Sequence, residues 1–188
     1  MELKFNLRLT VWVHYPDGKK KKVIDRRSKS FIQPFIDSVG GSWSDNASFS
    51  VFKDTSGTNR SNYYNCEINA GAGEVNYGIV VGNGYADVAI DNYALNSRMG
   101  SGNGAGQMGY PKMQKTAIDS GVSNARNFEM NRYFANLYVL PQIVRECGLY
   151  AKLQGSSIYF CFIRDLIGAI EIPPQGGISI NYKVEIKV

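Results

Sequence analysis

The first and last segments of the chain alternate between apolar and polar residues with a period of two. Leu3–Val13 and Ile178–Val188 both place their apolar residues on one side and polar residues such as Lys, Asn and Ser on the other. A period of two over this length predicts a strand with one buried face. We expect both strands to lie centrally and to pair with each other or with neighbours in one sheet. The apolar positions are Leu3, Phe5, Leu7, Leu9, Val11, Val13, Ile178, Ile180, Tyr182, Val184, Ile186 and Val188.

Turn signals divide the rest of the chain into further strands. Tyr15–Gly18 predicts a tight turn, because Pro16 restricts φ and Gly18 accepts a positive φ. Residues 82–106 are rich in glycine and predict a long loop or a strand with wide bulges. The other predicted strands are Tyr77–Val81, Gln107–Ile118, Val122–Leu140 (joined to its predecessor by a turn at Asp119–Gly121), Val144–Ala151 and Ser157–Asp165.

One segment has the spacing of a helix instead. Ser30–Val39 carries an apolar stripe at i, i+1, i+4, i+5 and i+8, and Gly40–Gly41 ends it. The whole pattern predicts an all-β fold, an antiparallel β-sandwich of jelly-roll type with one short helix near the N-terminus. A chain of 188 residues is the usual size of one domain, so residues 1–188 are interpreted as a single domain.

Composition narrows the class of protein. Apolar residues make up 44% and charged residues 20%, as in a globular chain. The three cysteines are far apart and form no Cys/His cluster, so free thiols are expected, with no metal and no cofactor. The N-terminus lacks the apolar core of a secretion signal, and no apolar run approaches the ~20 residues that span a bilayer. We therefore expect a protein made in a cytoplasm with no membrane span.

The sequence contains no recognisable catalytic motif. His14 is the only histidine and has no nucleophile or acid in a local motif, so a surface histidine is expected. Gly82-Asn83-Gly84 follows a strand, but Asp87 stands where a dinucleotide-binding turn needs its third glycine. A pair of carboxylates, as in glycosidases, stays open because such pairs meet only in the folded chain. The prediction is that the protein is not an enzyme.

Positive charge is concentrated near the N-terminus. Residues 1–30 hold nine Lys and Arg against three acids, whereas the remaining residues hold 12 against 13. A solvated turn, an acidic protein partner and nucleic acid are all compatible with this cluster. It lacks interleaved aromatic residues of the kind that stack bases, which favours the turn or the acidic partner. The candidate contact residues are Lys19, Lys20, Lys21, Lys22, Arg26 and Arg27.

Glycine is a second candidate feature. A glycine at every second position indicates a backbone that lies close to another backbone, or a mobile loop. We predict that Gly82–Gly106 is poorly protected in an isolated monomer and becomes ordered against a neighbouring subunit. The candidate interface residues are Gly82, Gly84, Gly100, Gly102, Gly104 and Gly106.

A series of short motifs resembles a group of structural proteins of tailed bacteriophages, mostly uncharacterised. The resemblance covers most of residues 27–188, and its motifs consist mainly of turn glycines and strand residues. The sequence departs from the group at Tyr138–Pro141, where the group commonly has a polar turn. The motifs are Gly78-Ile79-Val80-Val81-Gly82-Asn83-Gly84, Asp91-Asn92-Tyr93-Ala94-Leu95, Gly102-Asn103-Gly104-Ala105-Gly106-Gln107, Arg126-Asn127-Phe128, Glu146-Cys147-Gly148-Leu149-Tyr150 and Ile163-Arg164-Asp165.

The resemblance implies a component of the virion, in the head, neck or tail, that is assembled in the host cytoplasm. Such a protein works by contact with other copies of itself and with other virion proteins, so a homo-oligomer in the particle is expected. One alternative is a receptor- or glycan-binding module of the particle, favoured by the 12 tyrosines. A second alternative is a basic protein that contacts nucleic acid, favoured by the lysine run.

Overall fold

The computed structural model describes residues 4–28, 30–35, 51–61, 66–116 and 125–187. Within these ranges the chain is almost entirely β, and the all-β prediction is confirmed. Helical conformation is assigned to residues 33–35. The strands are β1 Lys4–His14, β2 Lys20–Arg27, β3 Val51–Lys53, β4 Asn59–Ser61, β5 Cys66–Glu67, β6 Gly78–Gly82, β7 Gly100–Ser101, β8 Gln107–Met108, β9 Gln114–Lys115, β10 Ala125–Ala135, β11 Gln142–Leu153, β12 Tyr159–Ile172 and β13 Gly177–Lys187.

The first and last strands pair along their whole length in a five-stranded sheet of order β2-β1-β13-β10-β9. Both lie inside the sheet, as the alternation predicts. Leu9 pairs with Tyr182, and neither side chain is accessible to solvent. The strands therefore bury the side that the sequence pattern assigned to the core. Its buried members are Leu7, Leu9, Val11, Val13, Ile178, Ile180 and Tyr182.

The predicted turn between β1 and β2 is also present. The amide of Gly18 donates to the carbonyl of Tyr15 at 3.0 Å, and Gly18 has a φ of 83°, which a glycine adopts without strain. Lys19 therefore lies in the connection, and Lys20 begins the return strand. A register shift between Val11 and Trp12 interrupts the pairing of β1 with β2.

A second sheet has the order β12-β11-β5, and β6 also pairs with β11. The five residues of β6 are all buried, and β11 and β12 are buried over their central parts. The inward side chains of both sheets contribute to one hydrophobic cluster. Across it, the Tyr182 hydroxyl of the first sheet lies 3.3 Å from Cys147 Sγ of the second. The jelly-roll arrangement of a sandwich stays a prediction.

The helix starts later than predicted. Phe31 forms an antiparallel bridge with Ile163 instead of a first helical turn, and the helical residues begin at Gln33. Pro34 is then in the first turn, where its missing N–H is tolerated. The remainder of the predicted helix, residues 36–39, lies outside the described residues. Among the residues described, no helix is long and apolar enough to cross a membrane.

The prediction of a continuous strand over Gln107–Ile118 is wrong. The segment runs beside β10, with Gly109 opposite Ala135 and Gln114 opposite Asn131, but its middle leaves the ladder. There the amide of Met113 and the carbonyl of Tyr110 bond to residues 70 and 73 instead. Pro111 has no amide hydrogen to donate to a continuous ladder. The predicted turn at Asp119–Gly121 lies outside the described residues.

Candidate functional site

The connection between β10 and β11, residues 136–141, exposes apolar side chains and is here named the rim loop. Leu137 is 58% exposed, Val139 77% and Leu140 56%. The sequence predicted a strand as far as Leu140, which is wrong because β10 ends at Ala135. The available signal was Pro141, because a proline is disfavoured inside a strand and is common next to the start of one.

The base of the rim loop is rigidly held by Asn136, which is fully buried. Its Nδ2 donates to the carbonyls of Leu140 at 3.0 Å and Ile172 at 2.9 Å. Its Oδ1 accepts the amide of Tyr138 at 3.0 Å. Three hydrogen bonds to one buried amide hold the loop backbone in one conformation. The exposed apolar side chains are therefore presented from a fixed frame.

The rim loop and the turn between β1 and β2 lie at the same end of the five-stranded sheet. His14, the last residue of β1, pairs with Gly177, which pairs with Ala135, the last residue of β10. Two strands, β1 and β13, separate β2 from β10. With neighbouring strands about 4.8 Å apart, β2 and β10 are separated by roughly 14 Å. One end of the molecule thus combines exposed apolar and basic side chains.

The lysine run Lys19–Lys22, here named the basic tip, is exposed but partly neutralised. Lys19 Nζ lies 2.8 Å from Asp17, and Lys22 Nζ lies 2.8 Å from Asp25. Asp25 also accepts a hydrogen bond from Arg8, which together with Lys22 lowers the pKa of the Asp25 carboxyl. Among the described residues, no carboxylate lies within ion-pair distance of Lys20 or Lys21. The free positive charge of the tip is therefore carried by these two lysines.

The structure also places an aromatic ring in the basic tip. Lys20 Nζ and Lys22 Nζ each lie 5.3 Å from the centre of the Trp12 ring. The basic run itself contains no aromatic residue, and the ring is supplied by Trp12 on the neighbouring strand β1. Pairing of β1 with β2 sets Trp12 opposite Lys22.

The two arginines of the predicted cluster bond within the chain. Arg26 donates to Asp165 at 3.2 Å and to the carbonyl of Leu166 at 2.9 Å. Arg27 donates to the carbonyl of Phe5 at 2.9 Å. Arg26 therefore ties β2 to the second sheet and Arg27 ties β2 to β1, and any external contact of the cluster falls mainly to the lysines.

The candidate interface glycines fall into two groups. Gly82 and Gly84 are buried, and a Cβ at Gly82 would lie 2.5 Å from the carbonyl oxygen of Ser97. Their lack of a side chain serves close packing inside the chain, so they offer no surface to a partner. Gly102 and Gly104 pack on the side chain of Gln107 in a more exposed segment. An interface at Gly100, Gly102, Gly104 and Gly106 stays a prediction.

A buried ion pair holds the loop that follows β6. Glu146 on β11 and Arg164 on β12 lie 3.0 Å apart, with side chains 0% and 2% exposed. Glu146 also accepts the amides of Gly84, Asn96 and Ser97 at 2.7–3.2 Å. Arg164 donates to Asn92 and to the carbonyls of Ala86 and Asp87. The pair satisfies its own hydrogen-bonding groups with this loop and has a structural role.

A second buried carboxylate, Asp165, joins the two sheets. It accepts hydrogen bonds from Ser28 at 2.8 Å, Ser30 at 2.9 Å and the Tyr182 hydroxyl at 3.1 Å. Arg26 supplies the charge that balances it. These partners occupy both carboxylate oxygens, so Asp165 is engaged in holding β2, β12 and β13 together.

The structure brings His14 next to a hydroxyl group that the sequence did not reveal. His14 Nε2 lies 2.8 Å from Ser179 Oγ on the paired strand. A catalytic dyad of this kind needs a carboxylate on the other ring nitrogen, and among the described residues no such contact to His14 exists. Burial, and then the charge of Lys20, lower the pKa of His14 and make it a weaker base. That the protein is not an enzyme stays a prediction.

The cysteines do not have the environment of reactive thiols. All three are free, and burial raises the pKa of Cys66 to about 11 and that of Cys147 and Cys161 further. A thiol with a raised pKa is a poor nucleophile and metal ligand. In the part of the chain that the structure describes, no group of three His, Cys, Asp or Glu residues could hold a metal ion.

An apolar cavity of about 510 Å³ lies between the two sheets at the end opposite to the rim loop. Its walls carry five phenylalanines and offer one charged group, Lys115. Among the described residues that line it, no set of converging polar groups is present that would orient a substrate. The lining residues are Phe5, Phe31, Phe35, Cys66, Ile68, Lys115, Phe128, Met130, Leu149, Phe162, Ile163, Val184 and Ile186.

Comparisons of the chain with protein-family models, with curated proteins and with solved structures found no match. The functional argument therefore rests on the geometry above and on the motifs of the sequence. Of the surfaces described, the rim loop differs most from an ordinary protein surface, because its exposed side chains are apolar and its backbone is fixed.

Proposed function

We propose that this protein is a structural component of a tailed-phage virion and acts by protein–protein assembly. The virion assignment is supported by the series of motifs from Gly78 to Asp165 that resembles phage structural proteins. The mode of action is supported by the rim loop. The particle contains many copies of such a protein, so the proposed partners are other copies of the chain and other virion proteins.

The observation that carries the proposal is the exposure of Leu137, Val139 and Leu140 on a fixed backbone. Apolar side chains clustered on a surface favour burial against a partner, by about 25 cal/mol for each Å² removed from water. A flexible loop would lose conformational freedom on binding, which would oppose this gain. Because Asn136 already orders the loop, most of that loss is avoided.

The buried polar groups support an assembly role in a second way. Glu146, Arg164 and Asp165 are the buried charged residues of the resembling motifs, and each is fully engaged within the chain. The motifs therefore describe how the scaffold is held together, and no charged residue among these three is left for a substrate. A scaffold with a rigid core and a fixed apolar rim suits repeated packing of identical units.

Sedimentation velocity of the purified chain tests this proposal. We expect the wild-type protein to form species larger than the 20.8 kDa monomer, in proportions that rise with concentration. A Val139→Ser/Leu140→Ser variant should sediment as a monomer, because the apolar contact is lost while Asn136 still holds the loop. The matched control is Tyr85→Ser/Ile90→Ser, which removes apolar groups that are 81% and 66% exposed elsewhere. The control should assemble like the wild type.

Two results would contradict the proposal. One is a wild-type chain that stays at 20.8 kDa at every concentration. The other is a rim-loop variant that assembles as the wild type does, while its circular dichroism shows an intact β fold.

A further inference from the structure

The strand β2 forms one edge of the five-stranded sheet. Among the residues that the structure describes, β2 pairs with β1 on one side and with no strand on the other. Seven of its eight residues are exposed. An edge strand presents unpaired amides and carbonyls that are able to pair with a strand of another molecule. The edge at β2 is therefore a place where two copies of the chain could join their sheets.

The other edges of the two sheets are short or covered. The strands β9 and β5, at the far edges of the first and second sheet, are each two residues long. The middle of β12 is covered, because the amide of Ile32 donates to the carbonyl of Phe162 at 3.2 Å and the amide of Arg164 donates to that of Ser30 at 3.3 Å. Short and covered edges are common ways to prevent pairing between molecules. The longer β2 needs another form of protection.

The cations of β2 lie on both of its faces. Lys21 pairs with the buried Val13 and Arg26 with the buried Leu9, so both cations lie on the side of β2 that faces the core. Lys20 points to the opposite face, since successive side chains of a strand alternate. An unpaired ammonium group on the core side stays hydrated only while the edge is open to water, and its burial would be costly. A second strand at this edge would impose that cost on Lys21.

Pairing of β2 with β2 of a second copy would also bring like charges together. In an antiparallel pairing over the whole strand, the first residue lies opposite the last. Lys20 would then meet Arg27 of the second copy, and Lys21 would meet its Arg26. Each contact would occur twice, because the two copies are equivalent. Like charges directly opposite each other destabilise a pair of strands.

Two further features of β2 oppose such pairing. Lys22 would meet Asp25 of the second copy, but it already pairs with its own Asp25 at 2.8 Å, so the contact offers no gain. The register shift between Val11 and Trp12 leaves Val23 as an extra residue in β2. A bulge of this kind bends a strand and makes its edge irregular, which is a recognised protection of edge strands.

We infer that the lysine run and the bulge keep β2 from pairing with β2 of a second copy. The lysines then act by excluding a partner, so no ligand is needed to account for them. Repulsion against a wrong partner directs contacts between copies to other surfaces. The inference concerns a different surface from the rim loop and does not depend on the proposed function.

Self-association of a variant with less charge on β2 tests the inference. Lys20→Thr/Lys21→Thr removes the like-charge contacts and introduces residues that favour strands. The change is made in the Val139→Ser/Leu140→Ser background, so that contacts through the rim loop are weakened equally in all samples. We expect sedimentation velocity to show self-association that is tighter by about tenfold or more than in the background alone.

Two controls separate the edge from net charge and from the substitution itself. Lys112→Thr/Lys115→Thr removes the same charge from exposed positions in and beside β9 and should leave association unchanged. Lys20→Arg/Lys21→Arg keeps the charge on β2 and should also leave it unchanged. Salt at about 1 M reduces the Debye length to about 3 Å. It should strengthen association of the background more than that of the Lys20→Thr/Lys21→Thr variant.

Hydrogen exchange identifies the surface through which the variant associates. The amides of residues 20–27 in Lys20→Thr/Lys21→Thr should exchange more slowly as the concentration rises, because a strand at this edge would bond to them. A folded variant that associates no more tightly than the background would overturn the inference. Association without slower exchange in β2 would overturn it too, as would equal association of the Lys112→Thr/Lys115→Thr control.

Discussion

His14 is the one side chain whose ordinary pKa makes it titrate between pH 5 and 8. Its partial burial, and then the charge of Lys20, lower its pKa in the folded protein below the ordinary 6.5. The unfolded chain therefore binds this proton more readily than the folded chain does. The contribution of His14 to the free energy of unfolding is therefore fully present above pH 6.5. It declines as the pH falls through 6.5 towards the lowered pKa.

Urea denaturation at about pH 8 and about pH 5.5 tests this linkage. We expect the wild-type protein to have a lower free energy of unfolding at the lower pH. His14→Asn is expected to lose most of this difference, because its side chain does not titrate and still reaches Ser179. An equal fall in the variant would show that another group is responsible.

Glu146 and Arg164 form a buried ion pair in the core, and we expect its loss to destabilise the fold. Replacing Glu146 by Gln removes a buried charge and leaves the guanidinium of Arg164 unbalanced at 2% exposure. Breaking a buried ion pair in this way costs about 3–5 kcal/mol. We expect Glu146→Gln to lower the midpoint of urea denaturation strongly, and Asp17→Asn, at an exposed pair, to leave it unchanged. Similar midpoints for the two variants would contradict the structural role of the buried pair.

Some contacts between individual residues could not be predicted from the sequence. The motifs around Gly82, Glu146 and Arg164 were interpreted as reporters of a fold, and the structure brings these three residues together. Their meeting could not be predicted, since they lie on β6, β11 and β12 and no periodicity relates them. Trp12 and the lysines, in contrast, meet through the hairpin whose turn at Tyr15–Gly18 was predicted from the sequence.

Elements with a clear alternation were predictable, and those interrupted by local bonding were not. β1 and β13 follow a period of two because one face is buried over most of its length, from Leu7 to Val13 and from Ile178 to Tyr182. The segment after Gln107 has strand-like residues, yet Pro111 and bonds to residues 70 and 73 take its middle out of the ladder. Apolar residues in the rim loop were counted towards β10, although the buried Asn136 ends the strand there. Side-chain hydrogen bonds of this kind leave no periodic signal.

The glycine-rich stretch after β6 is more firmly held than its composition suggests. The amide of Leu95 donates to the Tyr150 hydroxyl at 2.6 Å, and those of Gly84, Asn96 and Ser97 donate to Glu146. These bonds argue against a need for a neighbouring subunit to order the parts of the stretch around Gly84 and residues 95–97. The dependence of Gly82–Gly106 on a neighbouring subunit stays a prediction.

Hydrogen exchange of the monomer tests this conclusion. We expect peptides that cover residues 94–99 to exchange slowly, close to the core strand β6, because exchange there requires breaking amide bonds to Tyr150, Glu146 and Val81. Peptides over residues 102–106 should exchange faster, since two of their amides bond to the side chains of Gln107 and Gln142. Fast exchange throughout 94–99 would contradict the arrangement around Glu146.

Across the whole molecule, the described residues combine an interior whose buried charges are paired with two exposed surfaces, one apolar and one basic. The interior pairs its buried charges through Glu146, Arg164, Asp165 and Arg26. The surfaces are the apolar rim loop and the basic tip, where Lys20 and Lys22 lie over the Trp12 ring. The sequence predicted an assembly protein from a resemblance, but it assigned the contact to glycines. In the structure the candidate contact is instead the rim loop, which the sequence pattern had included in the predicted strand Val122–Leu140.

Incorporation of the chain into a particle through its rim loop can be tested by co-sedimentation of the chain with assembled particles. The chain would be expressed with the genes that flank it, and particles would be separated from free protein on a density gradient. We predict that the wild-type chain and the Tyr85→Ser/Ile90→Ser control sediment with the particles at a fixed stoichiometry. The Val139→Ser/Leu140→Ser variant should stay with the free protein. Complete particles that exclude the wild-type chain, or that incorporate the rim-loop variant equally well, would contradict the account.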